Sequence, residues 1–363
     1  MKILLLTPKL NGRDGISLVS RTALAALKQT GTENRIEVRT LAPENFLPEQ
    51  VSEACVCRSA SGSKLRYLAW STEDLLGGGR FDLVIAMHIH LAPAALAGPF
   101  AGSRLAVFLH GIEVWKPLTP LQHLAVRRAS CVLANSQYTA DLFRKRNPWY
   151  ENCHVRVCPL GLPAVQGGGE VCDERYALIV GRMVKQEQYK GHDRLIELWP
   201  KLLEHAPGFR LLIAGDGEDR PRLEAKAKDR GVQDEVKFLG LVDDSTLLEL
   251  YQNCSFFVMP STGEGFGLVF LEAMRAAKPC IAAIGAASEV VEHGVCGFIV
   301  DPKVSETLLD AMLQLIRDPE RARRMGCAGH ERFMRMFTAE AFAARFTQAL
   351  DLCSVPENSL CAG

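Results

Sequence analysis

Pro260-Ser261-Thr262-Gly263-Glu264-Gly265-Phe266-Gly267-Leu268-Val269-Phe270-Leu271-Glu272-Ala273-Met274 follows directly on the apolar run Phe256-Phe257-Val258-Met259. A short apolar run, a glycine-rich turn and then apolar residues at helical spacing read as strand, turn and helix. Gly265 and Gly267 let the backbone approach a ligand closely, and Leu268 opens a helical turn whose unpaired N–H groups and positive dipole end suit a phosphate. Glu272 falls about one turn into that helix, within reach of a ribose attached to the anion, and a carboxylate accepts from two neighbouring hydroxyls. Glu264 lies in the loop, where it repels phosphate, so its natural partner is a neutral polyol such as a sugar. Taken as isolated glutamates, both are equally well solvated surface residues; the surrounding loop favours the ligand reading.

The same strand-then-helix pattern recurs outward in both directions. Residues 177–180, 211–214, 236–239, 256–259, 280–283 and 298–300 read as one series of buried strands, and 3–7, 36–40, 83–87, 105–109 and 131–134 as an earlier one. Short apolar strands alternating with helices indicate parallel sheets covered on both faces, hence an α/β chain of two doubly wound, Rossmann-like domains. The prolines and glycines of residues 159–169 suit a linker, so we expect domains at 1–165 and 166–336. Helical patterns over 306–317 and 319–336 complete the second. Residues 337–363 are expected to carry a last amphipathic helix that returns to the first domain, with a loose tail.

Composition excludes several classes. The 363 residues are 48% hydrophobic and 23% charged, which rules out a disordered or fibrous chain, and 42 basic residues balance 42 acidic ones, so no global field draws in nucleic acid. No apolar run approaches the roughly 20 residues needed to cross a bilayer. We therefore expect a cytoplasmic protein whose membrane contact, at the inner face, is at most peripheral. Residues 121–128 are the segment that would make it, as a basic amphipathic surface, although a helix with a solvated face explains them too. The twelve cysteines are scattered without a CxxC pair, so no metal is expected.

Ligands of open parallel sheets bind beyond the carboxyl ends of the strands, which directs attention to the loops there. Gly181-Arg182 and Lys190-Gly191-His192 flank one such loop and place two cations where a diphosphate fits. Ala214-Gly215-Asp216-Gly217 ends another strand. In the first domain, Gly15 within Asn11-Gly12-Arg13-Asp14-Gly15-Ile16 can aim N–H groups at a diphosphate, and His110 in His110-Gly111-Ile112-Glu113 closes a strand, as do His88 and His90.

The 260–274 stretch, with Glu264 and Glu272 eight apart, and Ala286-Ala287-Ser288-Glu289-Val290-Val291-Glu292-His293-Gly294-Val295-Cys296-Gly297-Phe298 resemble the E-x7-E region of retaining GT-B glycosyltransferases of family four. The resemblance covers nearly the whole chain and is strongest over 176–302. It implies a GT-B fold, two Rossmann-like domains facing each other across a cleft, and a nucleoside-diphosphate sugar as donor. It implies that Arg182 and Lys190 hold the diphosphate, here with a longer intervening 183–189, and that Glu272 binds ribose while Glu264 contacts the transferred sugar. It further implies a donor pocket lined by Gly15, Asp216, Gly217, Gly265, Phe266, Gly267 and Leu268, a base read by backbone at Leu241 and Val242, and His110 beside the transferred sugar. Gly285-Ala286-Ala287 departs from the family's usual glycine pair and proline, with little consequence expected. No Asp-x-Asp is present, in keeping with metal-independent members and with no cofactor beyond the donor.

These readings predict a retaining transferase that moves a sugar from a UDP- or GDP-sugar, rather than an ADP-sugar, to a hydroxyl of a sugar, lipid-linked or small-molecule acceptor in polysaccharide, glycolipid or other glycoconjugate synthesis. A sugar-nucleotide epimerase of the same architecture is the alternative, though the E-x7-E loop argues against it. A catalytically silent nucleotide-binding protein is the other.

Overall fold

The computed structural model describes residues 1–12, 14–30, 34–43, 55–63, 66, 80–96, 102–164 and 174–351. The chain divides into two compact units, Met1–Gly161 with Ala339–Gly363 and Leu162–Thr338. The break after Gly161 falls a few residues ahead of the boundary expected at 165; residues 165–169 of the linker, Arg13 and the tail after Cys353 lie outside the described residues.

Unit 1 is built on a parallel sheet of order β3-β2-β1-β4-β5-β6-β7. Its strands are β1 (Lys2–Thr7), β2 (Arg35–Thr40), β3 (Cys55–Ser59), β4 (Leu83–Ala86), β5 (Arg104–Leu109), β6 (Cys131–Ala134) and β7 (Val155–Val157). The helices α1 (Gly15–Gln29), α2 (Pro120–Arg128) and α3 (Gln137–Arg146) run between them. Every residue of β4 and β6 is buried, which is why these segments carry unbroken apolar runs rather than alternation. The sequence reading missed β3 and β7. β3 is an edge strand of alternating exposure with polar content, and β7 is three residues long, so neither offers an apolar run.

Unit 2 repeats the architecture with order β10-β9-β8-β11-β12-β13, again all parallel. Here β8 (Tyr176–Val180), α4 (His192–His205), β9 (Arg210–Ala214), α5 (Arg220–Asp229), β10 (Val236–Gly240), α6 (Asp244–Asn253), β11 (Phe256–Met259), α7 (Leu268–Arg275), β12 (Cys280–Ala283), α8 (Ala287–Val290) and β13 (Gly297–Val300) follow one another. The helices α9 (Ser305–Arg317) and α10 (Pro319–Met336) close the unit. The last helix, α11 (Ala339–Asp351), packs on α1 in unit 1 and sets Phe342 and Phe346 against Phe108 of β5, with centroids 6.4 and 6.3 Å away.

In each sheet the strand order reverses between two neighbours, β1 and β4 in unit 1 and β8 and β11 in unit 2. Crossovers leave to opposite faces there, opening a crevice at the carboxyl ends. The loop after β8 begins Gly181-Arg182, and the loop after β11 is Pro260 to Gly267. The topology thus delivers the two most informative motifs to one switch point.

Candidate active site

Close backbone contacts knit the loops of unit 2. The Gly181 amide donates to the Ala214 carbonyl (2.9 Å), the Met183 amide to that of Asp216 (3.0 Å), and the Gly215 amide to that of Gly240 (2.8 Å). Gly215, at φ +132°, has no room for a side chain: a Cβ there overlaps the Gly181 carbonyl oxygen. Gly191 (φ +93°) sits on Pro260, so that a Cβ falls 2.7 Å from the proline Cγ. The Thr262 amide then donates to the Tyr189 carbonyl (3.0 Å). The loops after β8, β9, β10 and β11 therefore form one interlocked edge, and Asp216, Gly217, Leu241 and Val242 sit on it. The Leu241 side chain is 81% exposed.

At the centre of this edge, Glu187 accepts from Arg182 and lies 3.2 Å from the Lys190 ammonium through its other oxygen. The Lys190 side chain is 16% exposed and that of Arg182 is 70% exposed. Both cations sequence reasoning paired are thus together, but with a carboxylate between them that it did not single out. Glu187 stands at a kink in the 3-10 segment Lys185–Lys190. Nothing in its spacing marks it, because the 183–189 stretch follows no regular period.

Helix α7 is preceded by Gly267, in the left-handed region (φ 92°), with no side chain capping its first turn. The Phe270 amide donates to the Gly267 carbonyl (3.0 Å), and the positive dipole end of the helix is not offset by a capping side chain. The Phe266 side chain is buried edge-to-face against Phe337, 6.1 Å between centroids, which leaves its backbone as the part that a ligand in this loop could meet. Half-buried Glu264 accepts from Ser261 at 3.5 Å. Burial pushes its carboxyl above the ordinary value against the pull of Lys190, and Glu187 adds to the rise. Glu272 is raised by burial too and accepts from the hydroxyl of Tyr251 at 2.7 Å. Tyr251, on α6, is a second residue the sequence did not reveal, since a tyrosine within a helical pattern reads as core.

In unit 1, His110 follows β5. Its Nε2 lies 2.6 Å from the Met87 carbonyl, and because a carbonyl only accepts, Nε2 carries the proton and Nδ1 the lone pair. The backbone is fixed by Glu113, which accepts from the amides of His110 (2.6 Å) and Gly111 (3.2 Å), and by Asn135, whose side chain donates to the His110 carbonyl (2.6 Å). The ring stacks on Phe108 at 4.9 Å and faces His88 at 6.2 Å; His90 is 4.7 Å beyond. Gly15 is the first residue of α1, but its turn is capped by Asp14, which accepts from the Ser17 amide (3.1 Å) and pairs with Lys9 (2.8 Å). An anion approaching Gly15 therefore meets a carboxylate as well as amides.

Two adjoining family models match the chain: Glycosyltransferase Family 4 over residues 11–164 and Glycosyl transferases group 1 over residues 166–332. The chain belongs to this family of glycosyltransferases. Among its relatives, the GDP-mannose-dependent alpha-(1-6)-phosphatidylinositol monomannoside mannosyltransferase of Mycobacterium tuberculosis is 29% identical over 71% of this chain and 73% of its own. In fold it is similar to the Anabaena protein HepE, solved with UDP and glucose (TM-score 0.78, 23% identity, 98% of this chain and 100% of that one). It is also similar to the sucrose-phosphate synthase of Thermosynechococcus elongatus (TM-score 0.79, 20% identity, 97% and 98%). The glycosyltransferase uses a sugar nucleotide, and its architecture is GT-B, as the sequence led us to expect. Among the described residues no cluster of His, Cys, Asp or Glu is arranged to hold a metal ion, and no helix is long and apolar enough to cross a membrane.

One buried histidine, His192, and two half-buried ones, His88 and His110, give the glycosyltransferase a pH signature. His192, whose Nε2 has no partner among the described residues, is held down to about 4 by burial and by Lys190. His88 and His110 are lowered by burial as well. Such groups stay neutral when folded but take up a proton once unfolded, so their stabilisation is complete above about pH 6.5 and is lost as pH falls toward 4. The urea midpoint is expected to drop between pH 7 and 4.5, with a shallower slope in His192→Leu. An unchanged slope in that variant would remove His192 from this account.

Proposed function

We propose that unit 2 of this glycosyltransferase holds a UDP- or GDP-sugar, without metal, and that unit 1 presents the acceptor hydroxyl near His110. Arg182 and Lys190 take the diphosphate together with the Leu268 turn, Glu272 takes the ribose, Glu264 the hydroxyls of the transferred sugar, and the backbone at Leu241 and Val242 the base. The observation that carries this reading is the meeting of two cations, an uncapped helix start and two carboxylates at the β8/β11 switch point. The choice of UDP or GDP draws support from the relatives, one described as GDP-mannose-dependent and one solved with UDP.

The acceptor oxygen bonds to the anomeric carbon as the bond to the diphosphate oxygen breaks, on the same face and through an oxocarbenium-like state, so configuration is retained. The acceptor proton passes to the departing phosphate oxygen, and the two cations stabilise the charge that develops there. The products serve polysaccharide, glycolipid or other glycoconjugate synthesis in the cytoplasm. The test is turnover of α-linked UDP- and GDP-sugars in the presence of EDTA, with the product's anomeric configuration read by NMR. An α product formed at an undiminished rate supports the proposal; a β product, or loss of turnover with EDTA, contradicts it.

Glu272→Ala is expected to weaken nucleoside diphosphate binding about 10- to 100-fold, the range for hydrogen bonds to a charged group. Tyr251→Phe removes only the hydroxyl that orients the carboxylate and should weaken it less. Equal affinity in Glu272→Ala and the parent would move the ribose elsewhere.

A further inference from the structure

Several of the exposed apolar side chains of unit 1 lie on α2 and on the segment packed against it. Leu121 and Leu124 project from α2 and are 61% and 52% exposed, while Trp149 is 82% exposed and sits edge-on to His123 of the same helix, 6.2 Å between centroids. Hydrogen bonds join the segments beneath them. The Tyr150 hydroxyl donates to the His123 carbonyl (2.8 Å). Asn147 accepts from the Leu118 amide (2.8 Å) and donates to the carbonyls of Lys116 (3.4 Å) and Phe143 (3.0 Å). Trp149, α2 and the loop before it therefore move as one surface.

The charge of this surface departs from that of the chain. Residues 112–151 hold the basic Lys116, Arg127, Arg128, Arg144, Lys145 and Arg146 against the acidic Glu113, Asp141 and Glu151, a net charge of +3, although the full sequence balances. Lys116, Arg127, Lys145 and Arg146 are exposed. A tryptophan and two leucines on elements that also carry exposed lysine and arginine match the boundary of a bilayer, where apolar side chains enter the acyl edge and cations meet anionic headgroups. The surface continues into the turn Ile112–Val114, with Ile112 exposed, directly after His110-Gly111.

We infer that this face docks the glycosyltransferase on an anionic lipid surface, bringing the His110 loop to lipid-borne acceptors. The docking stands on the surface itself and is separable from the donor chemistry. The test is co-sedimentation of the full chain with phosphatidylcholine vesicles, with and without phosphatidylglycerol, beside turnover on a water-soluble acceptor. Partitioning is expected onto the anionic vesicles and to fall with added salt. Trp149→Ala, or Leu121→Ser with Leu124→Ser, should lower it about tenfold or more, and each of Lys145→Gln and Arg146→Gln about fivefold. Turnover on the soluble acceptor should stay as in the parent. Absence of vesicle binding, equal binding to neutral vesicles, or variants that bind like the parent would overturn the docking and favour a protein partner for this face. Loss of turnover in the parent would instead count against the donor reading and leave the vesicle result standing.

Discussion

Lys190→Ala is expected to lower kcat by about 10²–10³, the usual effect of removing one preorganised donor from a site of developing charge. Arg182→Ala should act in the same direction. Lys190 is the better placed of the two, because its ammonium is largely withdrawn from solvent beside Glu187, where a charge acts through a lower effective dielectric. The surroundings supply a contrast that separates this from a structural role. Glu187 neutralises both cations, so Glu187→Gln leaves them in place with more charge for the diphosphate. Affinity for UDP or GDP is then expected to rise in Glu187→Gln while it falls in Lys190→Ala. Isothermal titration of the three proteins checks both directions; a fall in both variants would mean that the ion pairs maintain the loop rather than serve the ligand.

Gly215→Ala is expected to destabilise unit 2 by about 3 kcal/mol or more, combining a strained backbone with an overlap that the surroundings must relieve. The residue needs a positive φ and also lies against the Gly181 backbone, which cannot swing aside as a side chain would. Gly208→Ala is the matched control. Its φ is +71°, but nothing lies within 4 Å of a Cβ there, so it carries only the backbone cost, about 1 kcal/mol. Urea unfolding followed by fluorescence reads this out, because Trp199 is buried in unit 2 and is the single tryptophan in residues 162–338. Similar midpoints for the two variants would mean that the loop after β9 is not locked to the loop after β8.

The sequence displayed the fold because buried parallel strands leave apolar runs, as at β4, β6, β11 and β12, and because glycine marks the turns between strand and helix. It hid β3, whose polar, alternating residues belong to an exposed edge. Within the site, Arg182, Lys190 and Glu264 were legible because glycine neighbours mark the loops after β8 and β11, and Glu272 because it stands in α7 eight residues past Glu264. Glu187, Tyr251 and Asp14 were not, each for a physical reason. Glu187 acts from an irregular segment, Tyr251 reaches Glu272 from a neighbouring helix 21 residues away in sequence, and the capping role of Asp14 depends on where α1 begins. The inward turn of the Phe266 ring to Phe337 was also hidden, because a phenylalanine between two loop glycines carries no sign of which way its side chain packs.

The central claim is that unit 2 grips a nucleoside diphosphate through Arg182, Lys190 and Glu272 without metal. Thermal-shift titration with UDP, GDP and ADP in the presence of EDTA tests it most directly, since ligand binding to the folded chain raises the melting temperature by mass action. The account predicts a saturable rise with UDP or GDP that is reduced in both Lys190→Ala and Glu272→Ala. No rise with any of the three nucleotides in a folded sample, or a rise that neither substitution reduces, would contradict it.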